Sequence, residues 1–254
     1  MSETAHAAVS ADGQVLTVRF TNPDRLNPVD TEVKDAVLAG LDRVEADDQL
    51  RVLVLTGTGR AFSSGADLTG ADQLSASPAA AMESTSEVIR RITGSPKPVV
   101  AALNGLAAGV AAGYALAADI AIAVEDAYLL LPFTGIGLMP DGGTTLTFAA
   151  SMGRSRAMRA ALLGERISAA DAVAAGLISE VCAADRLDDR IAQICTALVH
   201  RPAGALAATK RAINQATIGG LDAALDLERD GQVGRLADPE FVALAAAFVA
   251  GGKK

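Results

Sequence analysis

The sequence predicts an α/β fold in which strands and helices alternate over a little more than half the chain and helices alone follow. The segments RVLVLT at 51–56 and VVAAL at 99–103 are apolar at almost every position, as expected of parallel strands covered by helices on both faces. From Met158 onward, apolar residues recur with helical spacing in short pieces. We therefore divide the chain into a strand-rich core, residues 1–200, and a C-terminal helical region, residues 201–254.

The first elements are defined by alternation and by turn and cap residues. VLTVRF at 15–20 alternates and follows the turn pair Asp12-Gly13, which predicts a hairpin strand. Asp30 or Thr31 can cap a helix that runs to about Ala46. After the strand at 51–56, we predict a loop over 57–70, a mobile loop over 71–80 and an amphipathic helix over 82–92.

The remaining elements follow from apolar runs separated by Gly, Pro and cap residues. We predict a turn at 104–105, a helix over 109–117, strands over 119–124 and 128–131, a Gly/Pro-rich loop over 132–143 and a helix from about Thr144. Ser168, with an acid three residues later, caps a helix that Gly176 ends. A strand over 177–181 is followed by helices over 184–200, 203–217 and 220–235 and by one from Asp238.

One apolar run, Val99 to Val124, has to be tested as a membrane span. It contains Asn104 and Asp119 and is dominated by Ala and Gly. Membrane insertion is driven by large aliphatic residues, and an Asp at mid-bilayer is costly. The run is therefore predicted to be a buried strand–turn–helix–strand unit, and no membrane association is expected. Residues 1–13 carry acids and no apolar run, so they do not read as a signal peptide.

Charge and cysteine content limit the partners and the compartment. The net charge is −8 and no Lys/Arg-rich stripe is present, which disfavours nucleic-acid partners. Cys182 and Cys195 lack CxxC spacing, which indicates a reducing, cytoplasmic location. His6 and His200 are too far apart to suggest a metal site, and Gly57-Thr-Gly59 lacks the third glycine of a dinucleotide fingerprint. We expect no metal and no redox cofactor.

Two turns made of small residues follow buried strands and could carry chemistry. They are RAFSSGADL at 60–68 and NGLAAGVAA at 104–112. Small residues let a ligand approach the backbone, and the first turn of a helix has unpaired N–H groups. Two such N–H groups directed at one carbonyl oxygen form an oxyanion hole. Tight turns and close helix packing would account for the same residues, so spacing alone leaves the two interpretations open.

Four segments in a fixed order resemble the enoyl-CoA hydratase/isomerase (crotonase) family. They are RAFSSGADL, VVAALNGLAAGVAAGYALAADIAIA, GIGLMPDGGTT and GERISAADAVAAGLISEV, and the resemblance extends from 25–27 to 208–214. It implies a superhelical core of repeated ββα turns and a C-terminal helical region used in trimerisation, in a homotrimer or a dimer of trimers. It also implies an acyl-CoA thioester substrate, bound between the two turns, with no cofactor besides the coenzyme A of the substrate.

The resemblance assigns roles to individual residues. Ala66 and Val110 would supply the oxyanion N–H groups. The substrate-binding residues would be Ser63, Gly65, Asp67 and Leu68 in the first turn, Gly109 in the second, Phe133 after the following strand, and Arg25 near the phosphates of coenzyme A. Loop capping by Asp67 and a solvated loop charge at Arg25 are the alternatives from the residues themselves.

Departures from the family pattern bear on the reaction. Gly113 and Phe133 stand where the hydratases of the family carry their two glutamates, and neither can transfer a proton. One acid, Asp141, stands at a place where relatives that shift double bonds have an acid. A buried carboxylate there could abstract an α- or γ-proton. Its alternative role is to cap the helix that begins near Thr144.

Three functions remain open. The first is isomerisation of an enoyl-CoA between the β,γ and α,β positions, with Asp141 as acid and base. The second is a hydratase, a thioester hydrolase or a ring-modifying acyl-CoA enzyme whose acids have moved, for example to Asp72, Glu83 or Glu87. The third is an acyl-CoA binding protein that has lost catalysis, as the absence of both glutamates would suggest.

Overall fold

Two β-sheets of unequal size form the centre of the protein, a computed structural model that describes residues 2–70 and 75–251. The larger sheet has the order β1-β2-β3-β4-β6-β8-β11 and the smaller sheet has the order β10-β9-β7-β5. The strands are β1 (Ser2–Glu3), β2 (Ala7–Asp12), β3 (Val15–Phe20), β4 (Val52–Gly57), β5 (Ala61–Ser63), β6 (Val99–Leu103), β7 (Leu106–Ala108), β8 (Ile120–Val124), β9 (Tyr128–Leu130), β10 (Ile167–Ser168) and β11 (Glu180–Cys182). From β3 to β11 the larger sheet is parallel, which confirms the predicted α/β class.

The helices surround the sheets and then continue alone to the end of the described chain. They are α1 (Thr31–Ala46), α2 (Pro78–Gly94), α3 (Val110–Ala117), α4 (Thr144–Met152), α5 (Arg154–Leu163), α6 (Ala169–Ala174), α7 (Leu187–Val199), α8 (Ala203–Ile218), α9 (Leu221–Leu236) and α10 (Pro239–Gly251). Two predicted caps are confirmed: the Asp30 carboxylate accepts from the Val33 N–H and the Ser168 hydroxyl accepts from the Asp171 N–H. No helix in the described ranges is long and apolar enough to cross a membrane.

A repeated ββα unit relates the two sheets. In each repeat the first strand joins the larger sheet and the second joins the smaller one, as in β4-β5-α2 and β6-β7-α3. Consecutive turns between these strands therefore lie side by side at one edge of the fold. The run from Val99 to Val124 contains β6, β7, α3 and β8, so the prediction of a buried strand–turn–helix–strand unit is confirmed, with one further strand.

Three predicted boundaries are wrong. The loop predicted over 57–70 contains β5 and a 3-10 helix at Leu68–Gly70, because the segment pairs with β7. The mobile loop predicted over 71–80 overlaps α2, which begins at Pro78; residues 71–74, including Asp72, lie outside the described part. The strand predicted over 177–181 lies at Glu180–Cys182, where it pairs in parallel with β8.

Candidate active site

A cavity of about 510 Å³ opens between the two small-residue turns, the segment before α4, and helices α2 and α9. Its lining includes eight of the residues predicted from the sequence: Gly65, Ala66, Asp67, Leu68, Gly109, Val110, Phe133 and Asp141. Half of the other lining residues are apolar, for example Met82, Leu138 and Leu236. The predicted residues thus converge on one largely apolar space.

The first turn leaves one amide free toward the cavity. Val29 lies beside the turn, where its N–H donates to Gly65 O at 2.7 Å and its carbonyl accepts from Asp67 N–H at 3.1 Å. Because successive N–H groups of an extended segment point in opposite directions, the Ala66 N–H points away from Val29. No acceptor for it is found among the described residues.

The second turn supplies the other free amide. Val110 is the first residue of α3, and the N–H groups of a first helical turn have no intrahelical acceptor. The Gly109 carbonyl accepts from Ala112 and Gly113, and no acceptor for the Val110 N–H is found in the part of the chain described. The Val110 side chain faces Gly142, since a Cβ built at Gly142 would lie 3.4 Å from Val110 Cγ2.

The two turns are in direct contact. Gly65 has a φ of +89°, and a Cβ there would lie 2.7 Å from Ala108 O and 3.6 Å from Gly109 Cα. Only glycine combines this backbone conformation with so close an approach. The Phe133 ring packs against the same place, 3.6 Å from where a Cβ of Gly109 would be. Both free amides therefore border the same part of the cavity, which is the arrangement that an oxyanion hole requires.

Two asparagines outside the cavity bond the segment that leads into the first turn. Asn27 is fully buried and donates from Nδ2 to Thr58 O at 2.9 Å and Ala61 O at 2.8 Å. Asn104 donates to Gly59 O and Ala61 O and accepts from the Gly57 N–H. These bonds tie the connection between β4 and β5 to the neighbouring segments, so the position of the first turn is fixed by side chains outside the cavity.

Asp141 is the buried carboxyl of the site. Its side chain is 9% exposed, Oδ2 accepts from Gln232 Nε2 at 2.9 Å, and Oδ1 has no partner among the described residues. Burial, reinforced by the nearby Glu228, raises the pKa of Asp141 to about 7, although the Gln232 hydrogen bond opposes the rise. A carboxyl with this pKa can both accept and return a proton near neutral pH.

The alternative role of Asp141 as a helix cap is wrong. Helix α4 has Gly143 at its N-cap without a side-chain cap bond from that residue, and Thr144 bonds only the main-chain carbonyl of Asp141. The first turn is instead satisfied by Glu228 of α9, whose carboxylate accepts from Gly143 N–H at 2.7 Å and Thr145 N–H at 2.9 Å. The Asp141 carboxyl therefore caps no helix, and the residue lines the cavity.

Two predicted binding residues lie outside the cavity lining. Ser63 is fully buried, and its hydroxyl accepts from the Gly65 N–H. Its side chain therefore stabilises the turn and does not line the cavity. Arg25 forms a two-point ion pair with Asp67, with distances of 2.9 and 2.6 Å. Asp67 also accepts from the Thr69 N–H, as the loop-capping interpretation predicts. The Arg25 guanidinium is therefore bonded to the first turn.

Sequence reasoning missed three side chains of the site. Lys34 lines the cavity, and burial lowers its pKa. Glu228 and Gln232 lie four residues apart on α9 and contact the segment around Asp141. Their spacing on one helical face is the only signal in the sequence, and it identifies no partner.

Glu83, a candidate relocated acid, is exposed and pairs with Arg90. In residues 2–70 and 75–251, no three His, Cys, Asp or Glu side chains could together hold a metal ion.

Comparisons with known proteins identify the family of the chain. Residues 10–238 match the family model described as enoyl-CoA hydratase/isomerase. The chain is 40% identical over 231 residues to 1,2-epoxyphenylacetyl-CoA isomerase of Escherichia coli (strain K12), with 88% of each chain covered. It is 37% identical to a probable enoyl-CoA hydratase of Rhodobacter capsulatus, with 87% of this chain and 86% of that protein covered.

A solved structure shows the same fold. The structure of an enoyl-CoA hydratase from Mycobacterium avium subsp. paratuberculosis K-10 superposes with a TM-score of 0.90 at 39% identity, and the match covers 97% of this chain and 100% of that one. The ββα core with its C-terminal helices is therefore the crotonase fold. The chain belongs to the enoyl-CoA hydratase/isomerase family.

Proposed function

We propose that the protein isomerises enoyl-CoA esters, moving the double bond between the β,γ and α,β positions. Asp141 removes a proton from one carbon of the acyl chain and returns it to another. The N–H groups of Ala66 and Val110 stabilise the thioester enolate formed in between. The observation that carries the proposal is a buried carboxyl, with a pKa of about 7 and one oxygen unpartnered among the described residues, in the same cavity as two unpaired amides.

The acids around the cavity favour isomerisation over hydration. The described lining contains Asp30, Asp67 and Asp141. Asp30 caps α1 and contacts His6, whereas Asp67 is paired with Arg25. Of these three acids, Asp141 is therefore the one that neither pairs with a cation nor caps a helix. A single carboxyl suffices to move one proton, whereas the hydratases of the family use two acids to add water.

The position of the first hydratase glutamate is also closed by packing. A Cβ at Gly113 would lie 2.5 Å from Gly142 O, which no side chain can satisfy without displacing the segment that carries Asp141. At the second position, Phe133 is 6% exposed and packs against the oxyanion turn. The site is thus shaped around Asp141, and a glutamate at 113 is incompatible with its present arrangement.

Turnover of a 3-enoyl-CoA ester by Asp141→Asn tests the proposal. We expect the variant to bind a saturated acyl-CoA as the wild type does and to lose at least about 100-fold in kcat, because a positioned proton carrier is removed. Glu83→Gln, which changes an exposed carboxylate, should retain full activity. Product mass separates isomerisation, which leaves it unchanged, from hydration, which adds water. Unchanged turnover in Asp141→Asn would remove Asp141 from the mechanism.

A second candidate is rearrangement of a ring-bearing acyl-CoA. The relative that is 40% identical is named as a 1,2-epoxyphenylacetyl-CoA isomerase, and the Phe133 ring beside the oxyanion turn offers an aromatic contact to such a group. The same amides and the same acid would serve this reaction. Comparing kcat/KM for straight-chain and phenylacetyl-type CoA esters distinguishes the two, and binding without turnover of any ester would favour the inactive binding protein.

We further propose a homotrimer or a dimer of trimers in the cytoplasm, as the family resemblance implies. The exposed apolar side chains of Leu162 and Leu163 on α5 are 59% and 63% exposed, which is compatible with a subunit interface. Sedimentation equilibrium measures the assembly. A monomer at micromolar concentration would contradict the trimer.

A further inference from the structure

Two buried polar side chains of α9 reach back to the catalytic segment. Glu228 and Gln232 are 1% and 0% exposed, and their spacing of four places both on one face of the helix. Both contact the stretch between Met139 and Thr145, which lies about 90 residues earlier in the chain. Buried polar groups of this kind are costly unless they are fully bonded. Their presence beside Asp141 therefore calls for a functional explanation as well as a structural one.

We propose that the Glu228–Gln232 pair positions the Asp141 carboxyl, with Gln232 holding Oδ2 and Glu228 holding the segment that follows Asp141. The inference rests on the proposed function, in which Asp141 carries the proton. Neither α9 residue touches the reacting atoms in this scheme. Both are positioning residues that act through Asp141.

The bonds of Gln232 fix its orientation. Its Oε1 accepts from Met139 N–H at 3.0 Å, and its Nε2 donates to Met139 O at 2.9 Å. The side-chain amide is thus clamped by both main-chain groups of one residue, and the remaining Nε2 hydrogen points at Asp141 Oδ2 at 2.9 Å. A carboxyl held at one oxygen cannot rotate freely. The other oxygen, Oδ1, is left without a partner among the described residues.

Glu228 acts on the same segment from one helical turn away. It holds the N–H groups of Gly143 and Thr145, which fixes the segment just after Asp141. Its negative charge raises the pKa of Asp141, whereas the Gln232 hydrogen bond lowers it. The two residues therefore tune the proton affinity of Asp141 in opposite directions while holding it in one place.

Other titratable groups near Asp141 do not duplicate this role. From α3, Tyr114 faces Asp141, and its fully buried hydroxyl has a raised pKa, chiefly through burial, so it stays neutral. Asp30, Lys34 and Asp67 line the same cavity toward α1 and the first turn. Asp30 and Asp67 have the cap and ion-pair partners described above. Gln232 supplies the contact to the Asp141 carboxyl itself, and Glu228 holds the segment that follows it.

The pH dependence of isomerisation distinguishes positioning from a merely structural role. We expect Gln232→Met to lower kcat about 10- to 100-fold, with a smaller change in KM, because the Asp141 carboxyl is no longer held in one orientation. The rising limb of kcat/KM against pH reports the pKa of the base. It should move to higher pH in Gln232→Met and to lower pH in Glu228→Gln. Asp230→Asn, on the exposed side of α9, is the matched control and should reproduce the wild-type profile.

A second variant, Gln232→Glu, keeps the test valid if Gln232→Met does not fold, because its side chain still offers an oxygen to the Met139 N–H. It adds a second carboxyl beside Asp141, so its rising limb should also move to higher pH. Rising limbs that stay at the wild-type pH in the Gln232 and Glu228 variants overturn the inference, even if kcat falls. The failure of the proposed function is a different result, namely full turnover by Asp141→Asn.

Discussion

Asp141→Asn should make the folded protein more stable, and the gain should depend on pH. The wild-type carboxyl is buried in the cavity, and its pKa is raised from 3.8 to about 7, chiefly by burial. An asparagine has nearly the same shape and can accept the Gln232 hydrogen bond, but it never ionises. The substitution therefore removes the cost of holding a carboxylate in an apolar cavity.

The size and sign of the effect follow from the two pKa values. Below pH 3.8 the carboxyl is protonated in the folded and the unfolded chain, so ionisation contributes no difference. As the pH rises toward about 7, the unfolded chain ionises more readily than the folded one, and the folded state loses stability. At 1.36 kcal/mol per pKa unit, the shift from 3.8 to about 7 corresponds to a loss of about 4 kcal/mol above neutral pH. The variant should not show this loss.

Urea unfolding of the two proteins at equal concentration measures the effect. The quantity of interest is the free energy of unfolding of the variant minus that of the wild type, taken between about pH 4.5 and about pH 8.5. This difference should grow with pH and level off above neutrality. The exposed Asp230→Asn variant should run parallel to the wild type. A difference that stays constant across the range would show that Asp141 titrates normally, and the reasoning about its catalytic role would lose its basis.

Two further substitutions test the packing that supports the site. Gly113→Ala should cost about 1–3 kcal/mol and reduce turnover, because its Cβ would lie 2.5 Å from Gly142 O; urea unfolding and a 3-enoyl-CoA assay measure both, and a fully stable, active variant contradicts the argument. Lys210→Met should cost about 1–3 kcal/mol, because it leaves the Asp119 carboxylate, bonded at 2.9 Å, without its cation. Adding Asp119→Asn should recover much of that loss, and a double variant no more stable than Lys210→Met would refute the pairing.

The parts of the fold that the sequence predicted are those with long or capped elements. The strands β3, β4, β6 and β8 have five or six residues, which is enough for an alternating or continuous apolar pattern to appear. Ala61–Ser63 and Leu106–Ala108 have three residues each. A period of two cannot be recognised over that length, so these two strands of the smaller sheet were not predicted, whereas the strand predicted over 128–131 is its β9.

The site residues that lie within short, recognisable segments could be predicted from the sequence. The two turns carry Ala66 and Val110 within recognisable segments, and Asp141 lies in another. Gln232 and Glu228 act across separations of 91 and 85 residues, and no local pattern encodes such contacts. Ser63 lies in the right segment, but whether its hydroxyl faced the ligand or the Gly65 N–H depended on the fold.

The burial of Asp141 has two consequences, one for catalysis and one for stability. The apolar lining that raises the pKa of Asp141 also makes its ionised carboxylate unfavourable in the folded state. Helix α9 stabilises the buried carboxyl through Gln232, which bonds Oδ2, whereas Oδ1 has no partner among the described residues. A carboxyl bonded at both oxygens would be a weaker base. Substitutions at Asp141 that increase stability above neutral pH should therefore be those that abolish turnover, because the ionisable carboxyl that lowers stability is also the proposed proton carrier.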